Sequence, residues 1–594
     1  MAGVLLGHNS AMTSTTASDR HAGALALAAG AGLVAFPFLS PLVAGPSANA
    51  WQLLASWTCV GFLALQCRCA LPSRSLTLWL GVVALSIMLA PAGAAALKFS
   101  AVAATAVVAL AACIGAGWVR RPADPASMTP PTALAWGLLV AGLGSAVLGL
   151  LQYYGHAQAL VPWTTAPELG QAYGNLRQRN QFATLIGMAL VAGLALYGGW
   201  TPRQRVACLP AALLLLLAAA ASTSRTGLLQ WLLISGVAAF LARRERHATG
   251  RREADAPGSG MPAPLRPFRL PHPALLLALV PAYFIVAWML PMLAGPDVED
   301  MLRRLREGAP EGHSRLLLWH NVLELIGQHP WRGWGWGELS FAHYTHPYAG
   351  PRFVEILDNA HNLPLHLAVE LGIPAAVAIC GGFTWLVLAV PPWRERDPLR
   401  LTAWGVLGAI VLHSLLEYPL WYGPFQLVFG LCLGLLWPRR PATASTQGAP
   451  RRGIGWAVPA GSVAAAVLLA GVAYASWDYT RISQIYLARE HRLPTWRDDT
   501  ARQLQASWLF ARQVQFAELS LMPVDRANAA DVHARALRAL HFSPEPRVIV
   551  KLIESAALLG RNDEAMAQAV RMQRAFPDDY IRWLAGNLPD AKAD

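Results

Sequence analysis

Residues 132–152 read TALAWGLLVAGLGSAVLGLLQ, a run without a charge. It is long enough to cross the hydrocarbon core of a bilayer as a single helix. Lipid offers no water to an open backbone, so such a segment must satisfy its own N–H and C=O groups by helical pairing. Working outward, similar stretches recur near 22–43, 50–70, 75–91, 97–118, 132–152, 181–199, 205–221, 226–242, 272–294, 373–391, 401–417, 423–437 and 455–476. They predict an all-α polytopic membrane protein with about 13 transmembrane helices, several of them short or interrupted by Pro or Gly.

The composition agrees. Of 594 residues 55% are hydrophobic and 14% charged, with mean hydropathy +0.37. A soluble domain carries roughly 25% charged residues, which excludes an ordinary cytosolic enzyme. The formal charge of +13 comes from 44 Arg and 3 Lys against 34 acids. In a soluble chain that would suggest nucleic acid; here basic cytoplasmic loops explain it first, and no nucleic-acid partner is expected. With a cytoplasmic N-terminus, the inward loops collect 21 basic residues and the outward loops before residue 478 collect 10, of which the longest takes 6. This asymmetry predicts an N-in, C-out inner-membrane protein. The first 21 residues are polar, so the first span is expected to act as an uncleaved anchor.

The expected organisation is a cytoplasmic N-terminus 1–21, then a transmembrane region 22–294 with a basic cytoplasmic linker 243–271. A large periplasmic loop 295–362 follows, then a second transmembrane region 363–476 and a periplasmic helical domain 477–594. The linker, rich in Arg, Pro, Gly and Ala, reads as disordered. In the large loop, Ser314 suits an N-cap and Gly327 a helix stop, with 316, 319, 323 and 326 forming one apolar stripe away from His320, Asn321 and Glu324. The Gly-Trp turn Trp331-Arg332-Gly333-Trp334-Gly335-Trp336-Gly337 comes next, and its tryptophans suit a membrane interface. From 478 onward 16 basic and 15 acidic residues nearly cancel; helices at 546–559 and 563–574 around Gly560 look TPR-like or belong to a plain helical bundle. All seven cysteines lie in or beside spans, so no disulfide framework is implied.

Several polar residues on the outward face are not required by topology. They are Arg177 and Arg179 before one span, Arg225 between two, Arg315 and Arg352 in the large loop, His361 and Asn362 at its end, and Glu417, Tyr418 and Tyr422 near a later span. Guanidinium forks bind phosphate oxygens bidentately, so an outward, Arg-lined site suggests a lipid-linked phosphate or pyrophosphate; phospholipid headgroups or helix ends are the plainer use. A neutral His361 imidazole could take the proton of an attacking hydroxyl, or serve as a helix cap. No Walker motif, Gly-rich nucleotide loop, His-Glu-x-x-His or outward Asp-x-Asp is present, so neither ATP nor a metal-dependent nucleotide-sugar reaction is indicated.

Ser314-Arg315 with Trp319, His329-Pro330-Trp331-Arg332-Gly333-Trp334-Gly335-Trp336-Gly337, and His361-Asn362-Leu363 with Glu370-Leu371-Gly372 together resemble the bacterial O-antigen ligase, O-antigen polymerase and protein O-oligosaccharyltransferase superfamily. Asn175-Leu176-Arg177-Gln178-Arg179-Asn180-Gln181, His413 with Glu417-Tyr418-Pro419-Leu420-Trp421-Tyr422, and the soluble tail resemble its protein-glycosylating, pilin glycosylase branch. The resemblance implies transfer of a preassembled glycan from undecaprenyl pyrophosphate to Ser or Thr of exported proteins such as pilin, without cofactor or metal. It implies that outward arginines bind pyrophosphate, that His361 is the base, and that Tyr418 or Tyr422 orients acceptor or donor. Membrane lipids are the remaining expected partner. A ligase or polymerase acting on a sugar hydroxyl, with lipid A–core as an acceptor, is the same-class alternative. A lipid-linked glycan transporter fits less well, because the polar candidates cluster at one face rather than mid-span.

Overall fold

The computed structural model describes residues 17–43, 50–119, 130–255, 270–295, 298, 301–307, 312–439, 457–504 and 506–587. Their regular structure is helical, with an isolated bridge between Pro72 and Pro438. Every one of the thirteen apolar stretches carries a helix. Among the described residues eight helices are long and apolar enough to cross a membrane, from Ala95–Val119 to Ala460–Tyr486; Gly23–Leu39, Arg74–Met88 and Gly423–Leu436 are apolar but shorter. Ala50–Gln66 and Pro398–Ser414 occupy the remaining two.

Local chemistry moves some boundaries. The stretch read as a disordered linker is helical as far as Asp255, as an extension of Arg225–Asp255. Ala, Arg and Glu favour helix, and Arg244 ties this extension to the Trp393 and Glu395 carbonyls at 3.1 and 3.2 Å. Residues 256–269 lie outside the described residues. The stretch 401–417 leaves regular helix at Ser414, five residues before Pro419, whose ring excludes a helical continuation. Glu417 thus stands in a turn rather than in a span.

The centre of the bundle is Gly423–Leu436, every residue of which is buried. It packs against Ala95–Val119 through glycines: a Cβ on Gly434 would meet the Ala112 carbonyl oxygen at 2.0 Å, and one on Gly115 would meet that of Leu431 at 2.3 Å. Small residues let backbones approach where lipid supplies no hydrophobic drive. This fixes the turn 415–422 immediately ahead of that helix.

In the 312–362 region Ser314 does cap Arg315–Gln328, accepting from the Leu316 N–H at 3.2 Å. Its packed stripe differs from the expected one. Leu318, Val322, Leu325 and Ile326 are buried with Asn321, whereas Leu316 and Leu323 are exposed. The helix has two apolar faces, and Asn321 anchors the inner one by bonding the Pro351 carbonyl and the Phe353 N–H at 3.1 and 2.8 Å. The short helix Leu339–Thr345 then docks on the tail. Tyr344 enters the core formed by Phe516, Leu519, Val532, Leu552 and Met572, and its hydroxyl donates to Gln568 at 2.9 Å. His541 pairs with Glu338 at 2.6 Å and stacks on Phe341 at 3.8 Å.

Gly434→Ala is expected to lower stability by roughly 1–3 kcal/mol, the usual cost of overpacking. Gly236→Ala, where a Cβ meets nothing within 4 Å, should leave it unchanged or slightly raised. Thermal unfolding of both variants in nanodiscs checks the pair.

Candidate functional site

Paired helices bring distant segments to one end of the bundle. Arg179–Tyr197 and Pro202–Ala221 carry the chain away and back, so the helix starts at Arg179 and Arg225 come together. Ile373–Ala389 and Pro398–Ser414 do the same for the start of Leu363–Leu371 and the turn 415–422. The start of Arg315–Gln328 joins them.

What these segments share is one carboxylate. Glu417 Oε1 accepts from Arg315 Nη2 at 2.5 Å and from Asn180 Nδ2 at 3.1 Å, while Oε2 pairs with His361 Nδ1 at 2.7 Å. Asn180 is held in turn by the Ser224 hydroxyl, which donates to its Oδ1 at 2.6 Å and accepts from the Gly227 N–H at 2.9 Å. The Glu417 side chain is only 7% exposed. Burial pushes its pKa up, but the hydrogen bond and charge of His361, then Arg315, outweigh this and hold the carboxyl below its ordinary range. Glu417 is therefore a carboxylate, and both its oxygens are hydrogen-bonded.

His361 adopts the left-handed region at φ 49°, sparsely populated by residues with a side chain. Its N–H donates to Asn359 Oδ1 at 2.9 Å, and Trp319 Nε1 donates to the preceding Ala360 carbonyl at 3.1 Å. An ionised Glu417 holds a proton on Nδ1, so in the neutral ring Nε2 is the acceptor. The capping role open to His361 from sequence belongs to Asn362, whose Oδ1 accepts from the Leu365 N–H at 3.1 Å and whose Nδ2 donates to the Leu415 carbonyl at 3.0 Å. The Tyr418 ring stands edge-on to His361 at 5.0 Å and stacks on buried Tyr422 at 6.0 Å. Burial above all, then Tyr422, Asp358 and Glu417, pushes the Tyr418 phenol upward, so it remains a neutral donor.

The arginines divide. Arg315 touches Glu417; Arg179 and Arg225 adjoin Asn180 and Ser224, Arg179 half-buried and Arg225 exposed at the head of its helix. Arg177, at φ 59°, donates to the Val43 carbonyl at 2.6 Å, beside the same helix start. Arg352 is anchored elsewhere in its loop, donating to the His343 carbonyl and lying over the Tyr348 ring at 5.7 Å. Burial, then the Arg352 charge, pushes His343 down to about 3, so that imidazole is a neutral loop strut. The residues that sequence reasoning did not nominate are Asn180 and Ser224. Their signal was their place beside Arg179 and Arg225 at span starts. No group of three or more His, Cys, Asp or Glu able to hold a metal lies among the described residues.

Four helix N-termini thus face one cluster of cationic side chains, and helix starts carry partial positive charge and unpaired N–H groups. With the His361 imidazole beside them, the arrangement suits a polyanionic leaving group and a hydroxyl nucleophile.

Parts of the chain match known families. The family described as O-Antigen ligase matches residues 209–380, and that described as Virulence factor membrane-bound polymerase, C-terminal, matches 401–588. The Protein glycosylation ligase family matches 172–197, the segment holding Arg177, Arg179 and Asn180. A General O-oligosaccharyltransferase from Acinetobacter baylyi is 29% identical over 178 residues. That alignment spans 27% of this chain and 30% of the relative's length. Together these likenesses support the O-oligosaccharyltransferase branch of the O-antigen ligase and polymerase superfamily, and with it a transferase enzyme.

The pair Arg315–Glu417 is expected to show a coupling of about 1 kcal/mol in a double-mutant cycle of Arg315→Ala and Glu417→Gln, discounted because Arg315 is 39% exposed. Additive losses in unfolding free energy would remove the contact from the site.

Proposed function

We propose that the protein is a periplasmic-face O-oligosaccharyltransferase, moving a preassembled glycan from undecaprenyl pyrophosphate to Ser or Thr hydroxyls of exported proteins such as pilin. The observation that carries the reading is the His361–Glu417–Arg315 constellation at the meeting of four helix starts. The acceptor O–H gives its proton to His361 Nε2 as its oxygen bonds to the anomeric carbon. The glycosidic C–O bond to pyrophosphate breaks, and the polyprenyl pyrophosphate leaves with the electron pair. Glu417 keeps the Nδ1–H tautomer and stabilises the imidazolium, as the carboxylate of a catalytic triad does. Arg179, Arg225 and Arg315 neutralise the departing charge, with Arg177 beside them. Tyr418 is placed to donate to the acceptor or the phosphate, with Tyr422 behind it. Arg352 acts through the loop. The basic loops support an N-in orientation that puts this end outside the cytoplasm.

A ligase or polymerase acting on a sugar hydroxyl is the second reading, favoured by the matches at 209–380 and 401–588. Both use the same donor and base, so the acceptor decides. Reconstituted protein with an undecaprenyl-pyrophosphate glycan, offered a pilin-type protein and lipid A–core in competition, is expected to glycosylate the protein. Transfer to lipid A–core, or lengthening on the carrier, would reassign it. His361→Ala should lower the rate about 10²–10⁴-fold, and Arg225→Ala should mainly raise the donor KM. A His361→Ala variant that folds and keeps full transfer would remove the base.

A further inference from the structure

Beside the Glu417 centre lies a cavity of 1210 Å³ that the chemistry above does not use. Most of its wall is apolar, from residues such as Leu53, Val107, Leu468 and Val472. One end is different. There His366 and Glu370, one turn apart on Leu363–Leu371, line the cavity at 3% and 1% exposure with Trp336 and Trp421. His366 Nε2 and Glu370 Oε2 are 3.5 Å apart, a loose contact; the Gly337 and Leu339 N–H groups also serve the Glu370 carboxyl, while His366 Nδ1 and Glu370 Oε1 have no hydrogen-bond partner. Burying such groups without partners is unfavourable, so each one calls for a ligand that completes it.

The aromatic rings supply the complementary half. Trp336 and Trp421 lie nearly parallel, 15° apart with centroids at 6.3 Å, and Trp421 stands edge-on to His366 at 5.0 Å. Indole faces beside a carboxyl and an imidazole match a pyranose. One face of such a sugar is apolar C–H, and its hydroxyls both donate and accept. An acyl chain would suit the apolar wall but would leave both polar atoms without partners. The cavity also adjoins the reacting centre: Tyr422 lines it and stacks on Tyr418, which stands against His361, and Asp358 lines it three residues before His361.

We propose that this end of the cavity is a saccharide subsite. It holds a sugar ring of the lipid-linked glycan next to the bond being broken, with Trp336 and Trp421 against its apolar face and Glu370 and His366 bonding its hydroxyls. The subsite rests on the glycan-transfer reading above. It makes Glu370, His366 and Trp421 determinants of donor-glycan specificity and leaves the proton transfer to His361.

The test uses the full chain in nanodiscs. Its probe is the water-soluble glycan released by mild acid from the lipid carrier of the source cells, with polyprenol as a second probe, both followed by calorimetry. Wild type and His361→Ala are expected to bind the glycan alike. Glu370→Leu and Trp421→Leu should each weaken binding about tenfold, the value of one good hydrogen bond or one stacking face. In transfer, the donor KM should rise by a similar factor with kcat nearly unchanged. Glu370→Leu also takes an acceptor from the Gly337 and Leu339 N–H groups, so half-exposed Trp421 gives the independent second variant. Equal binding by all four proteins, no binding by wild type, or loss of polyprenol binding alone would overturn the subsite. Cavity-dependent binding without transfer to any acceptor would overturn the reaction and leave the subsite standing.

Discussion

One buried carboxylate organises this molecule's polar end. Glu417 is offered three donors, from Arg315, Asn180 and His361, by three segments far apart in the chain. A buried anion stripped of a partner costs several kcal/mol, roughly 3–5 by comparison with broken buried pairs. The three segments are therefore not independent ornaments on a helical scaffold. Each depends on Glu417 being where it is. Glu417 in turn depends on Pro419 ending a helix and on the glycine-lined packing of Gly423–Leu436 against Ala95–Val119. Packing deep in the bundle thereby decides which nitrogen of His361 carries a proton.

The helices were legible because lipid forces the issue: an apolar run has one way to satisfy its backbone. The Ser314 cap was legible for a similarly local reason. The inner face of Arg315–Gln328 was not. That helix carries two apolar stripes, periodicity scores both, and only a buried asparagine bonded across the loop shows which turns inward. The polar candidates were nominated by sidedness and residue type; the fold joins Arg315, His361 and Glu417 in one hydrogen-bonded cluster and sets Arg352 apart, its guanidinium propping a carbonyl in its own loop. What linear sequence did not carry was the hub itself, since Asn180, Ser224 and Glu417 become one network only after the chain has left and returned to the same end twice.

The strained backbone of His361 completes the picture. Left-handed residues with side chains persist where their surroundings over-determine them, and here Asn359 and Glu417 hold His361 while Trp319 holds the carbonyl just before it. Rigidity is useful when two large substrates must meet at one atom, because little ordering remains to be done at the moment of reaction.

The docking of Leu339–Thr345 on the last helices sets the order in which the molecule can be finished. Tyr344 belongs to a core whose other members run from Phe516 to Ala575. A ribosome delivers those residues only after every apolar helix has been made. Until then the loop bearing Arg315 and His361 must wait with an aromatic side chain uncovered. The loop is covered late, by residues 516–575.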